Sequence, residues 1–120
     1  MIVDDDPYNI EVFQILLEYA GLEVDTARDG VTAIEMAQMT DYAAIFMDIQ
    51  MPNVDGLEAT RRIRTMAAHR TTPIIALTGN VFSEHKLRCI AAGMDEFLTK
   101  PFEINTVYET LLRSLRQRSV

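Results

Sequence analysis

Ile45-Phe46-Met47-Asp48, followed by Gln50-Met51-Pro52-Asn53-Val54-Asp55-Gly56, decides how this chain reads. A short apolar run without polar alternation suits a central strand covered on both faces, although periodicity alone does not separate it from a buried helical turn. The run stops on a carboxylate, which places Asp48 at a strand's carboxyl end. The same arrangement recurs where Met1-Ile2-Val3 meets Asp4-Asp5-Asp6, where Ile74-Ile75-Ala76-Leu77 meets Thr78, and where Phe97-Leu98-Thr99 meets Lys100-Pro101. In an open parallel sheet these ends share one edge, and ligands bind there where the strand order reverses.

Between these segments the pattern is helical. Pro7 to Ala20 carries Asn9, Val12, Phe13, Leu16 and Ala20 at helical spacing, and Gly21 follows as a terminator. Glu23 to Ala27 alternates as an edge strand does. Helices are expected over Val31 to Met39, with Ala33, Ile34 and Ala37 inward, and over Leu57 to Arg64. A fourth is capped by Ser83, buries Leu87, Ile90 and Ala91, and stops at Gly93; a fifth follows Pro101 and buries Ile104, Val107, Tyr108, Leu111 and Leu115. Five strands alternating with five helices predict an α/β domain, a doubly wound parallel sheet.

The chain has 120 residues and a net charge of −7. That length suits one domain, and the acidity argues against a general nucleic-acid surface. The arginines of Arg61-Arg62-Arg64 and Arg113-Arg116-Arg118 read as solvated helix faces. No apolar stretch has membrane-spanning length, no signal peptide is visible, and a single cysteine, Cys89, excludes an internal disulfide. The expected compartment is cytoplasmic.

Asp4, Asp5, Asp6 and Asp48 converge with Lys100 as their close cation. Like charges so close raise one another's pKa unless something neutralises them, and an all-oxygen set suits Mg²⁺, with Mn²⁺ an alternative. Mg²⁺ leaves positions for phosphate oxygens. Thr78 can donate a hydroxyl and Lys100 a point charge to a phosphoryl group, and Asp48 is the natural acceptor if a carboxylate rather than a bound substrate takes it. His85 and Cys89, four apart on one helix, lack visible partners for a soft-metal site, and Met36, Met39, Met47 and Met51 read as packing.

Val3-Asp4-Asp5, Met47-Asp48-Ile49-Gln50-Met51-Pro52-Asn53-Val54-Asp55-Gly56, Leu77-Thr78 and Lys100-Pro101-Phe102 together resemble the receiver domain of two-component response regulators. Gly56-Leu57-Glu58-Ala59-Thr60-Arg61, Ile74 to Thr78 and Ala92-Gly93-Met94-Asp95-Glu96 look most like receivers attached to hybrid sensor histidine kinases. The resemblance covers nearly the whole chain. It implies a flavodoxin-like sheet of order 2-1-3-4-5 and one receiver domain over residues 1–120, expected to be part of a longer chain.

Carried over by position, it implies Asp48 as phosphoacceptor. Asp5, Asp48 and the backbone carbonyl of Gln50 would bind Mg²⁺, with Asp4 acting through water. Thr78, Lys100 and the Gly79 backbone N–H would hold the phosphoryl group. Lys100-Pro101 would be a cis peptide, Thr78 and Phe97 would form the switch, and Gln50 and Asn80 would set the phosphate lifetime. The donor would be a histidine kinase or a histidine-containing phosphotransfer domain, docking on a flank that contains Tyr8, Ile15 and Tyr19. The surface of the fourth helix, last strand and fifth helix would then change. No direct contact with nucleic acid or membrane is implied.

Three departures from the family pattern stand out. Gly79 replaces a common alanine and is expected to loosen the backbone beside Thr78; Asp6 adds a third acid; Phe97 lacks a tyrosine hydroxyl. Two other function classes compete. A haloacid-dehalogenase-type phosphatase also pairs an aspartyl nucleophile with Thr, Lys and Mg²⁺, but the further acidic pair after its lysine and room for a cap are missing. An interaction module without phosphorylation is expected to have lost one of Asp5, Asp48, Thr78 or Lys100.

Overall fold

A computed structural model describes residues 1–51, 54–79, 83–100 and 102–119. In chain order its elements are β1 (Ile2–Val3), α1 (Pro7–Tyr19), β2 (Thr26–Ala27), α2 (Gly30–Met39), β3 (Ile45–Asp48), α3 (Gly56–Arg64), a 3₁₀ turn (Ala67–His69), β4 (Ile74–Thr78), α4 (Ser83–Ala92), β5 (Glu96–Thr99) and α5 (Ile104–Ser119). The strands form one parallel sheet in the order β2-β1-β3-β4-β5, as expected.

Alternation within the buried strands divides the core in two. Ile45, Met47, Ile74 and Ala76 face one side with Ala33, Ala37, Ala59, Ile63 and Cys89. Phe46, Ile75 and Leu77 face the other with Ile10, Phe13, Leu17, Val107 and Leu111. Helices α2, α3 and α4 therefore cover one face, and α1 and α5 the other, which keeps the central strands dry on both sides. Phe13 joins the second layer together, with its ring 5.1 Å from Phe46 and 4.8 Å from Phe102. The Tyr108 hydroxyl donates to the Leu16 carbonyl at 2.6 Å and clips α5 to α1.

Register sets the functional edge. Val3 pairs with Met47, Asp48 with Leu77, and Thr78 with Thr99, so Asp4, Asp48, Thr78 and Lys100 all fall at strand ends on the same side. Aspartates start three helices at this edge: Asp6, Asp29 and Asp55 accept from the N–H groups of Tyr8, Thr32 and Glu58. Each satisfies a donor that the first helical turn would leave open.

Several helix faces differ from the sequence expectation. In α1 the buried stripe is Ile10, Phe13 and Leu17, whereas Val12 and Ala20 are exposed and Asn9 and Leu16 are only half-buried. In α4, Leu87 and Ile90 are 65% and 55% exposed and Ala91 is exposed too; His85, Cys89 and Ala92 turn inward. Histidine, cysteine and alanine turn inward in place of leucine and isoleucine, so hydrophobicity alone selects the wrong stripe. Ser83 is the first residue of α4, so its cap position lies outside the described residues. Ile104 in α5 and Met39 in α2 are likewise exposed.

Arg64 is not part of a solvated face. Its guanidinium donates to the carbonyls of Gly93, His69 and Thr72 and to the Asp95 carboxylate, at 2.6–2.9 Å. Asp95 in turn accepts from the Ile74 N–H, so one arginine ties the end of α3 to the start of β4 and the approach to β5. Gly93 takes φ +111°, and a Cβ there would lie 2.9 Å from Arg64 Cγ. Arg64→Met keeps the stem but orphans three carbonyls; we expect a loss of about 2–4 kcal/mol in urea unfolding.

Candidate functional site

Four strand ends build a cleft of about 500 Å³. Asp48 closes β3 with its side chain only 5% exposed, and Oδ1 accepts from the Gln50 N–H at 3.3 Å. Asp4, one residue past β1, is 1% exposed. Its Oδ1 accepts from the Asp6 N–H at 3.0 Å and its Oδ2 from Asn9 Nδ2 at 3.4 Å. Lys100, immediately after β5, places Nζ 3.5 Å from Asp48 Oδ1 and 3.7 Å from Asp4 Oδ2, bridging the two acids. The Lys100 N–H donates to the Thr78 carbonyl at 2.8 Å, which fixes the lysine against β4. Thr78 is buried at the end of β4, and Gly79 is exposed at the rim.

Burial raises Asp48 to a pKa of about 7, reinforced by the negative charge of Asp4 and offset in part by Lys100. A carboxylate held this way has a strong electrostatic demand for a cation. Asp4, Asp5 and Asp48 each offer one carboxylate oxygen, all within 4.8 Å of one another. Three hard oxygen donors this close fit Mg²⁺. Asp6 does not join them: it lines the cleft, yet its Oδ1 is engaged in capping α1, so the expected four-acid cluster contains three.

The remaining sequence candidates occupy varied surroundings. Gln50 is exposed at the cleft. Phe97 is half-buried on the core side shared with α4, with Lys86 Nζ 5.7 Å from its ring centre. Tyr8, Ile15 and Tyr19 are 70%, 61% and 90% exposed, so the α1 flank is an open surface and Tyr19 does not pack inward. Nothing lies within 4 Å of a Cβ built on Gly79, so alanine would fit there sterically. Asn80 and Pro101 lie outside the described residues, which leaves the lifetime role of Asn80 and the Lys100-Pro101 cis peptide undescribed. His85 and Cys89 are both buried, and among the described residues neither belongs to a group of three possible metal ligands.

Asn9, expected on the apolar stripe of α1, turns instead toward Asp4. A polar side chain in the first helical turn, four residues beyond Asp5, was the available signal.

These features define a class: a flavodoxin-like α/β domain with an acidic, lysine-bridged cleft at the edge where its strand order reverses. The chain belongs to the response regulator receiver domain family, which it matches over residues 1–112. It is 39% identical over 117 residues to hybrid signal transduction histidine kinase L of Dictyostelium discoideum, covering 92% of this chain and 7% of that protein. It is 37% identical over 113 residues to the signal transduction histidine-protein kinase BarA of Shigella flexneri, covering 94% and 12%. The chain thus spans only a small part of these relatives' length.

Among solved structures, it resembles the receiver domain of a Pseudomonas aeruginosa PAO1 sensor histidine kinase, which has a magnesium ion coordinated in its active site cleft. That match has a TM-score of 0.89 and 38% identity and covers 95% and 93% of the two chains. The Vibrio cholerae chemotaxis protein CheY4 matches with a TM-score of 0.91 and 34% identity, covering 94% of each chain. Among the described residues, no helix is long and apolar enough to cross a membrane.

Proposed function

We propose that this domain accepts a phosphoryl group on Asp48 from a phosphohistidine, carried by a histidine kinase or a histidine-containing phosphotransfer domain, within a phosphorelay. The observation that carries this reading is the buried carboxylate of Asp48 at a strand end, with Lys100 at 3.5 Å and two further acids in reach. In the transfer an Asp48 carboxylate oxygen forms a bond to phosphorus, the P–N bond breaks, and the electron pair leaves with the imidazole, which takes up a proton. Asp5, Asp48 and the Gln50 carbonyl would hold Mg²⁺, with Asp4 acting through water. When bound, the ion supplies positive charge that favours the ionised carboxylate and offsets the phosphoryl oxygens.

Lys100 and the Thr78 hydroxyl serve the incoming oxygens, with the Gly79 N–H completing the set; positioning and charge are most of what phosphoryl transfer requires. Lys100 is already beside Asp48 and need move little. Thr78 then shifts toward the new dianion, Phe97 takes the space it leaves, and the surface formed by α4, β5 and α5 changes. Exposed Leu87 and Ile90 belong to that surface. Gln50 and Asn80 tune the lifetime of the phosphate, and the open flank of Tyr8, Ile15 and Tyr19 receives the donor. The domain works in the cytoplasm as one part of a longer chain, and at most slowly sheds its own phosphoryl group rather than turning over a substrate.

Intact mass after incubation with Mg²⁺ and acetyl phosphate tests the reading. The expected result is a gain of one phosphoryl group in the wild type and none in Asp48→Asn. A gain retained in Asp48→Asn would place the acceptor elsewhere; no gain from either acetyl phosphate or a phosphohistidine donor would overturn the reading.

A further inference from the structure

Lys100 is shared between two acids, and Asn9 meets one of them. Asp4 Oδ2 accepts from Asn9 Nδ2 at 3.4 Å and forms an ion pair with Lys100 Nζ at 3.7 Å. The other oxygen of Asp4 is already engaged by the Asp6 N–H. Asp4 is almost wholly buried, so its Oδ2 carries a heavy penalty if it loses every partner. As Lys100 turns to a group on Asp48, a donor fixed on the protein keeps Oδ2 partnered. Asn9 donates to Oδ2 from outside the pair formed by Asp48 and Lys100, and it also lines the cleft.

We infer that Asn9 is a positioning residue for phosphoryl transfer: its carboxamide holds Asp4 Oδ2 and so frees Lys100 to serve the phosphoryl group on Asp48. The inference rests on Asp48 as the acceptor and adds a residue that touches neither the acceptor nor the phosphoryl group. Without the Asn9 donor, Asp4 retains Lys100. The nucleophile is unchanged, but the cation that should meet the incoming oxygens is held on the wrong acid.

The test is a double-mutant cycle read as the rate of phosphoryl gain by intact mass, with acetyl phosphate and Mg²⁺, for the wild type, Asn9→Leu, Lys100→Ala and the double variant. Leucine is close in shape to asparagine and removes the donor from a half-buried helix position; Asn9→Ala serves if the leucine variant melts early. We expect Asn9→Leu to slow transfer about tenfold, equivalent to ~1.4 kcal/mol. The same change in the Lys100→Ala background should alter the rate less than about twofold, since the effect runs through the lysine. A wild-type rate in Asn9→Leu, or an equal loss with and without Lys100, would overturn the inference while leaving Asp48 as acceptor. A wild type that gains no phosphoryl group would instead remove the acceptor assignment and this inference with it.

Discussion

Asp48→Asn is expected to unfold at higher urea concentration than the wild type at pH 8 in the absence of divalent metal, and, on the proposed function, to accept no phosphoryl group. The Asp48 carboxyl has a folded-state pKa of about 7 against an ordinary 3.8, chiefly because it is buried and secondly because Asp4 lies beside it. Its pKa is raised on folding, so the native state binds the proton more tightly than the unfolded chain does. The contribution of Asp48 to stability is therefore fully present below about pH 4 and is lost as pH rises through 7. Above that range the fold carries an ionised, buried carboxylate. Each pKa unit corresponds to about 1.4 kcal/mol, so the advantage of asparagine should reach a few kcal/mol at pH 8 and fade toward pH 4. Asparagine can still accept the Gln50 N–H, and Lys100 keeps Asp4, so the substitution removes the charge with little loss of bonding. Millimolar Mg²⁺ should stabilise the wild type more than the variant. A variant no more stable than the wild type at pH 8, or an advantage that does not shrink on acidification, would show that the buried charge is not under strain.

The sheet was legible because its strands are short, apolar and end on polar residues, and because parallel strands in a doubly wound sheet have one functional edge. Asp4, Asp48, Thr78 and Lys100 could be placed on that edge from sequence spacing alone. Helix orientation was less legible. In α4 the apolar residues Leu87 and Ile90 face outward while His85 and Cys89 face in, an arrangement that residue hydrophobicity does not predict and that leaves an apolar surface exposed. Arg64 looked like one member of a basic cluster; only the fold brings three carbonyls and Asp95 to it from distant segments. The acids show the same division. Asp6 and Asp55 cap helices, Asp95 anchors the start of β4, and Asp4, Asp5 and Asp48 form the site, yet residue type alone does not separate these tasks.

The rigidity of the site comes from how closely α3 meets the end of β3, and Gly56→Ala is expected to break that contact. A Cβ at Gly56 would lie 2.1 Å from the Asp48 carbonyl oxygen, 2.8 Å from Ile49 Cα and 2.9 Å from the Asp48 carbonyl carbon. All three are backbone atoms, so no side chain can rotate away. The Gly56 N–H also donates to the Ile49 carbonyl at 3.0 Å, and a shift that relieved the clash would lengthen this bond. Alanine's better helix propensity, about 1 kcal/mol, cannot offset a backbone displacement of that kind. We expect a loss above about 3 kcal/mol in urea unfolding, together with slower phosphoryl gain because Asp48 moves with its carbonyl. Gly79→Ala is the matched control: it lies at the same cleft, has nothing within 4 Å of its Cβ, and should change stability by no more than about 0.5 kcal/mol. If Gly56→Ala behaved like Gly79→Ala in both measurements, the carboxyl end of β3 would not be fixed by α3, and the placement of Asp48 would have to depend on Lys100 and its neighbouring acids alone.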